Sequence, residues 1–182
     1  THKDYFVANS RIGGDDKHMD NTFVFRSQIQ GWGAFAFRDI PEGTFLAKYS
    51  GTLVPYTLCD ALENMYIESG CASTYLFRLF GERGTFAIDA TYSGSIARFV
   101  NHSCVPNCRT EKKESRTNYD SSSLLKKYDY WRNNCEVVIH TIKDIKRGRE
   151  LSYDYHLDDS YERSRSVEVC NCGQPGCKHH RL

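Results

Sequence analysis

Short apolar runs, separated by glycine and proline, dominate the hydrophobic pattern of the chain. Five of these runs are rich in β-branched and aromatic residues: residues 21–27, 43–51, 73–80, 84–90 and 135–145. Runs of this length and composition between turn-forming residues are typical of β-strands. We therefore predict a mostly β fold of small, twisted sheets with short helices.

One helix is predicted as an insert at residues 58–72. Its apolar side chains recur at helical spacing: Leu58, Leu62, Met65 and Tyr66. Thr57 precedes them as a candidate N-cap, and Gly70 follows as a stop signal. A second, shorter helical turn is expected within residues 93–103.

Residues 109–134 lack this kind of pattern. They combine charged residues, serine and asparagine with little periodicity. We interpret them as a surface insertion in the form of a solvated loop. Contact with a substrate or a partner is the alternative role for this segment.

Composition narrows the class of protein. The chain has 182 residues, 40% hydrophobic and 26% charged, and a net charge of +1. These values are typical of a globular domain and give no surface for coating nucleic acid, so we expect no direct nucleic-acid binding. No apolar run approaches the roughly 20 residues that span a bilayer, so we expect no membrane contact.

The eight cysteines are unevenly distributed, and three crowd together at Cys170, Cys172 and Cys177. A Cys-x-Cys pair is sterically poor for a mutual disulfide but suits two ligands of one ion. Three thiolates leave a tetrahedral zinc one ligand short. A metal site is favoured, and disulfides in a secreted protein are the alternative.

Two short motifs are weak signals when each is taken alone. Gly31 and Gly33 flank Trp32, where backbone amides could approach a ligand, although a hairpin turn with a packed Trp explains the same letters. Tyr153 and Tyr155 would project to the same side of a strand. They could line an aromatic cavity, or form a half-buried surface pair.

The stretch at residues 98–108 reads RFVNHSCVPNC. Its closely spaced His102 and Cys104 raise the possibility of a Cys-His nucleophile pair, but no third group that would orient the His can be identified.

The order of the motifs carries more information than any one of them. GWG, YSG, STYLF, FAID, NHSCVPNC, ELSYDY and CNCGQPGC follow one another along the chain. In this order they resemble the SET-domain protein lysine methyltransferases, including the cysteine-rich post-SET segment. The resemblance covers about residues 22–182. It implies a flank at 1–21, a SET domain at 22–156, a linker at 157–169 and a post-SET zinc segment at 170–182.

The resemblance also implies a fold feature, a cofactor and a metal. The segment around residues 98–108 would form a loop through which a later segment passes, a pseudoknot. S-adenosylmethionine would bind and leave as S-adenosylhomocysteine, held by seven residues: Gly31, Trp32, Gly33, Tyr75, Arg98, Asn101 and His102. One structural Zn²⁺ would be held by four thiolates, from Cys104, Cys170, Cys172 and Cys177.

Three tyrosines match the catalytic positions of the family. Tyr155 would align the substrate amine, Tyr49 would line its channel, and Tyr153 would limit the product to mono- or dimethyllysine. The implied enzyme methylates a protein lysine, with the histone H3 tail or another lysine-containing protein as the expected substrate. We expect a nuclear, chromatin-associated protein whose isolated domain is a monomer.

Three positions depart from the family pattern. Lys48 and Thr52 stand where glutamate is common, and Arg78 stands where lysine-9 enzymes often carry aspartate. Because these changes remove negative charge near the expected peptide groove, a catalytically inactive SET-like module that binds histone or partner peptides is an alternative. A zinc ribbon in a DNA-binding protein is a third, disfavoured by the near-neutral charge. The motifs do not distinguish lysine 4, 9 or 36 of histone H3.

Overall fold

The computed structural model describes residues 21–71, 74–79, 86–114, 122–155 and 170–177. The strands in these residues are β1 Thr22–Arg26, β2 Trp32–Ala36, β3 Phe45–Lys48, β4 Thr52–Pro55, β5 Leu76–Arg78, β6 Phe86–Asp89, β7 Asn101–His102, β8 Cys108–Glu114, β9 Cys135–Thr141 and β10 Ser152–Tyr153. The α-helices are α1 Cys59–Glu68 and α2 Leu124–Asn134. Short 3₁₀ helices span Tyr56–Leu58 and Ile96–Phe99.

The strands form small sheets, as the sequence predicts. Two three-stranded antiparallel sheets have the orders β3-β9-β8 and β4-β6-β5, and β1 and β2 form an antiparallel hairpin. The short strands β7 and β10 pair in parallel. The prediction of a mostly β fold with short helices is confirmed, and so is the short helical turn, which is the 3₁₀ helix Ile96–Phe99.

Alternation along the strands builds the core. In the β1-β2 hairpin, Val24, Ala34 and Ala36 point inward and are buried, while the phenylalanines of the same strands contact one another on the other face. Phe86 and Ile139 are fully buried at the centre of the two larger sheets. Truncation of such side chains to alanine costs about 2–5 kcal/mol, so these positions stabilise the sheets that carry the site.

Helix α1 confirms the predicted helix but not its details. It begins at Cys59 after the 3₁₀ helix, and its N-cap is Leu58 without a side-chain hydrogen bond, so the Thr57 cap is wrong. Gly70 ends it with φ of +83°, the left-handed conformation that glycine adopts without strain. Of the expected apolar stripe, Tyr66 is buried, whereas Leu58 and Met65 are half-exposed.

The solvated-loop interpretation of residues 109–134 is wrong for the described part of that segment. Strand β8 pairs with β9 along its whole length, and α2 buries Tyr130 and Trp131. The rings of Tyr128 and Trp131 contact Phe86 of β6. The sequence pattern missed this structure because both elements are mostly polar: β8 buries only Cys108, and α2 buries only Tyr130 and Trp131.

No helix in the described ranges is long and apolar enough to cross a membrane. Of the expected flank at 1–21, only Asn21 is described, and the linker at 157–169 lies outside the described residues. The domain boundaries stay predictions.

Candidate active site

Two distant segments of the chain meet where β7 and β10 pair. Ser152 lies opposite Asn101, and Tyr153 lies opposite His102. The Ser103 amide extends the contact by donating to the Tyr153 carbonyl at 3.1 Å. This parallel contact between residues 101–103 and 152–153 brings together the segments that the expected pseudoknot requires.

The side chain of Asn107 holds β10 in place. Its amide nitrogen donates to the Glu150 carbonyl at 2.7 Å, and its oxygen accepts from the Ser152 amide at 2.8 Å. An Asn side chain offers both a donor and an acceptor, so it bonds β10 as a neighbouring strand would. No role was assigned to Asn107 in the sequence analysis, although this residue belongs to the NHSCVPN motif.

Three tyrosines named from the sequence lie in one aromatic cluster. The rings of Tyr153 and Tyr155 are 4.5 Å apart, which confirms that the two project to the same side. Phe77 joins Tyr49 to Tyr153, with ring centroids at 4.9 and 6.3 Å. Tyr49 and Tyr153 are buried, whereas 37% of Tyr155 is exposed. Solvent therefore reaches the cluster at Tyr155.

The backbone orients two of these phenols. The Tyr155 hydroxyl donates to the Val100 carbonyl oxygen at 2.8 Å. The Tyr49 hydroxyl donates to the Tyr75 carbonyl oxygen at 3.3 Å. Because both acceptors are main-chain atoms, the fold itself sets the direction of each hydroxyl.

Burial raises the pKa of Tyr49, Tyr153 and Tyr155 above the usual value near 10. For Tyr49 and Tyr153 the neighbouring phenol adds to the effect, since two adjacent phenolates would repel each other. A hydrogen bond from Tyr153 opposes the shift at Tyr155, but desolvation outweighs it. All three phenols are thus protonated at neutral pH, so they can position a substrate by hydrogen bonding but cannot serve as a phenolate base.

Asn101 connects β7 to the Gly-Trp-Gly turn. Its amide nitrogen donates to the Trp32 carbonyl at 3.1 Å and to the Glu150 carboxylate at 2.8 Å. The same carboxylate accepts from the Ser27 hydroxyl at 2.7 Å. Glu150 is a second residue that sequence reasoning missed, and its letter opens the ELSYDY motif. The Asn101 amide therefore braces the site from within the protein.

Contacts and backbone conformation within the protein explain both glycines beside Trp32. Gly31 has φ of +49°, in the region that favours glycine. A Cβ at Gly33 would overlap the Glu150 carboxylate and crowd the Phe35 ring. The turn thus accounts for Gly31 and the contact with Glu150 for Gly33, while a cofactor contact at their backbone stays a prediction.

Arg98 places a cation against aromatic rings. Its guanidinium lies 5.3 Å from the Tyr75 centroid and 4.7 Å from the Phe99 centroid. One terminal nitrogen donates to the Ala90 carbonyl at 2.7 Å, but Nε is buried without a hydrogen-bond partner among the described residues. An unpaired buried N–H costs about 1–3 kcal/mol, so an acceptor on a bound molecule would complete this site. The arrangement therefore fits a polar cofactor beside Tyr75.

His102 lies between Tyr155 and Cys104. Its Nδ1 accepts from the Tyr155 amide at 3.1 Å, and its Nε2 lies 3.4 Å from the Cys104 sulfur. The His102 ring also meets the Tyr155 ring edge to face, with centroids 5.4 Å apart. The imidazole is thus bonded on both sides, and its position does not favour a Cys-His nucleophile pair.

Four cysteines form a cluster with the geometry of a metal site. The sulfurs of Cys104, Cys170, Cys172 and Cys177 all lie within 4.8 Å of one another. Cys104 is 3.8 Å from both Cys170 and Cys177. Zn–S bonds of about 2.3 Å in a tetrahedron place neighbouring sulfurs about 3.8 Å apart, whereas a disulfide needs about 2.05 Å. The donor set fits one tetrahedral zinc, and Cys104 supplies the ligand that the trio lacked.

The thiols of the cluster differ in acidity. Although burial opposes it, hydrogen bonds from the Cys104 and Gln174 amides lower the pKa of Cys172 to about 7. Burial, together with the neighbouring thiols, raises the pKa of Cys170 to about 12. A bound cation would favour the thiolate form of both, because metal binding releases thiol protons.

Lys48 and Arg78, the two cations that depart from the family pattern, both form ion pairs within the domain. Lys48 pairs with Glu136 at 2.6 Å. Arg78 pairs with Glu63 at 3.0 Å and lies 3.6 Å from Asp60. Both cations are therefore offset by carboxylates, which weakens the case that these departures repel a basic peptide.

Comparison with known proteins places this geometry in a family. Residues 31–156 match the SET domain. The chain is 36% identical over 153 residues to the histone-lysine N-methyltransferase, H3 lysine-4 specific, of Aspergillus oryzae, a match that covers 84% of this chain and 11% of that protein. It is 36% identical over 159 residues to the histone-lysine N-methyltransferase trr of Drosophila melanogaster, with 87% of this chain and 6% of that protein covered. This chain thus spans only a small part of these relatives. Because the SET match covers more than half of its residues, the chain belongs to the SET domain family.

Proposed function

We propose that the chain is the catalytic domain of an S-adenosylmethionine-dependent protein-lysine N-methyltransferase that acts on lysine 4 of histone H3. Membership of the SET family and the names of the relatives support the reaction and the target. The observation that carries the proposal is the cluster of protonated phenols at Tyr49, Tyr153 and Tyr155. This cluster can receive an amine without supplying a charged base.

The substrate amine has to lose a proton before it reacts. A lysine with a pKa near 10.4 is almost wholly protonated at neutral pH. An aromatic channel removes water from the ammonium, which lowers its pKa toward neutrality. When bound, S-adenosylmethionine supplies an electrophilic methyl group on a sulfonium sulfur. The chain's own contribution is to desolvate the amine and hold it in line, and positioning of this kind supplies much of the acceleration.

Each tyrosine has a proposed part in this positioning. The Tyr155 hydroxyl, fixed by the Val100 carbonyl, aligns the amine. Tyr49, which is buried, and Phe77, whose ring contacts it, form the channel wall. The Tyr153 hydroxyl occupies space that a methylated amine would need, so we propose mono- and dimethyllysine as products.

The cofactor is proposed to bind along the turn at Gly31, Trp32 and Gly33 and against the segment that carries Arg98, Asn101 and His102. The Nε of Arg98, which has no hydrogen-bond partner within the described part of the chain, supports this location because it offers a buried donor beside the Tyr75 ring.

One structural Zn²⁺ is proposed in the cluster of Cys104, Cys170, Cys172 and Cys177, with no part in methyl transfer. The ion would tie the C-terminal segment to residues 104–105, where Gly176 approaches the Val105 side chain. Histone H3 as the substrate implies a nuclear, chromatin-associated protein.

A methyl-transfer assay tests the proposal. The chain, loaded with Zn²⁺, is incubated with S-adenosylmethionine labelled in its methyl group and with an H3 N-terminal peptide. We expect label in this peptide, little in the same peptide with lysine 4 replaced by arginine, and a large loss with the Tyr155→Phe variant. Equal labelling of both peptides would contradict lysine 4 as the target. Cofactor binding without transfer to any H3 peptide would favour the inactive-module alternative.

A further inference from the structure

A single imidazole bridges the cysteine cluster and the segment that carries Tyr155. We propose that His102 is a positioning residue that couples metal binding at Cys104 to the placement of Tyr155. Its Nε2–H donates to the metal-bound Cys104 thiolate, while its Nδ1 accepts from the Tyr155 amide. This inference rests on the proposed zinc site and the proposed methyl transfer.

The hydrogen-bond pattern assigns the tautomer. The Tyr155 backbone N–H can only donate, and it lies 3.1 Å from Nδ1, so Nδ1 carries no proton. The proton of the neutral ring is then on Nε2, 3.4 Å from the Cys104 sulfur. The Asp154 carboxylate is 3.8 Å from Nδ1, beyond hydrogen-bond length, so the Tyr155 amide determines the arrangement.

Burial makes this bridge stiff. His102 is 9% exposed, and its ring packs against the Tyr155 ring. The two bonds lie on opposite edges of one rigid plane, so a shift of the Cys104 sulfur tilts the ring and displaces the Tyr155 backbone. Tyr155 lies only two residues beyond Tyr153, which pairs with His102 itself. The displacement is therefore concentrated at the end of β10, where the two phenols stand.

The coupling acts in both directions. A hydrogen bond to a zinc-bound thiolate stabilises its negative charge, and loss of such an outer partner typically costs about 10–100-fold in metal affinity. In return, the metal fixes the sulfur that orients the imidazole. Misplacement of a reacting group by about 1 Å can cost about 10²-fold in rate, so a tilt of this ring is expected to lower kcat.

Nitrogen NMR on the unaltered chain is the first test. With ¹⁵N-labelled histidine in the zinc-loaded protein, we expect His102 as the Nε2–H tautomer, with the Tyr155 amide resonance shifting when a chelator removes the metal. His140, a partly buried histidine of β9 outside the cluster, is the control and should keep its signals. A His102 ring protonated at Nδ1, or a Tyr155 amide that does not respond to metal removal, would overturn the proposal.

Two substitutions of His102 test its two hydrogen bonds, to Cys104 and to the Tyr155 amide, one at a time. In His102→Gln the side-chain amide nitrogen can occupy the Nε2 position, and in His102→Asn the side-chain oxygen can occupy the Nδ1 position. We expect the Asn variant to lose about 10–100-fold in Zn²⁺ affinity, measured by chelator competition. The Gln variant should keep its Zn²⁺ affinity and lower kcat at saturating cofactor, with the KM for the peptide unchanged.

Equal losses of metal affinity and kcat in both variants would mean a general structural role and would contradict the coupling. His140→Asn is the matched control and should leave Zn²⁺ affinity unchanged. The tautomer and the affinity are measured without methyl transfer, so a failure of the proposed function is distinguishable from a failure of this inference.

Discussion

The rings of Tyr153 and Tyr155 lie 4.5 Å apart, where β10 leaves its parallel partner β7. Both phenols are protonated, and Tyr153 is buried whereas the Tyr155 residue is partly exposed. The pair therefore combines a residue that can meet a substrate with an internal hydroxyl that limits the space beside it.

Substitution of Tyr153 by phenylalanine removes the internal hydroxyl and leaves the ring. We expect the products on an H3 peptide, measured by mass spectrometry, to shift from mono- and dimethyllysine toward trimethyllysine, because the removed oxygen leaves room for a methylated amine. Tyr66→Phe is the matched control, since Tyr66 is also buried but bonds to Asp89. An unchanged product distribution in Tyr153→Phe would contradict this role.

The Glu150→Gln substitution tests whether the hydrogen bonds that Glu150 accepts support the candidate cofactor site. Ser27 and Asn101 both donate to this carboxylate, and hydrogen bonds to charged groups stabilise by about 1.5–3 kcal/mol, against about 1 for neutral pairs. We expect about a tenfold loss of S-adenosylmethionine affinity, or about 1.4 kcal/mol, by calorimetry. Glu136→Gln, which alters an exposed ion pair with Lys48, should have no such effect. If both variants bind the cofactor as the wild type does, Glu150 does not support this site.

High pH is expected to destabilise the fold through its buried phenols. The pKa of Tyr153 is raised by burial, so above pH 10 the unfolded chain loses a proton that the folded chain keeps. This contribution is fully present below pH 10 and is lost as pH rises toward the folded-state pKa. Relative to Tyr153→Phe, the wild type should lose about 1.4 kcal/mol of unfolding free energy between pH 8 and pH 11, measured by urea denaturation. A pH-independent difference between the two proteins would show that Tyr153 ionises equally in both states.

Helix α2 is expected to contribute to stability through Trp131. This side chain is 2% exposed and contacts Phe86 and Lys112. Trp131→Ala should lower the unfolding free energy by about 3–5 kcal/mol. Leu125→Ala, at a position of the same helix that is 77% exposed, should change it by less than about 0.5 kcal/mol. Similar small effects at both positions would mean that α2 is not packed on the core.

Local patterns located five of the ten strands in the described residues, helix α1 and the 3₁₀ helix Ile96–Phe99. The five apolar runs all contain strands, and Gly70 ends α1 as predicted. These features depend on neighbours along the chain, namely strand propensity, turn chemistry and the conformational freedom of glycine. In β8 and α2 the same reasoning failed, because their order comes from pairing with β9 and from rings that contact β6.

The features of the candidate site also separate into those that the sequence predicted and those that only the structure revealed. From the sequence alone came the tyrosine pair, the cysteine trio that lacked one ligand and, through the order of motifs, the resemblance to SET enzymes. Only the tertiary structure showed that Asn107 and Glu150 brace the site, that Lys48 and Arg78 are paired, and that His102 joins Cys104 to Tyr155. A sequence motif shows which chemical groups lie within a few residues of one another along the chain. Asn101 and Glu150 are 49 positions apart and His102 and Tyr155 are 53 apart, so these contacts exist only once the chain has folded and β7 packs against β10.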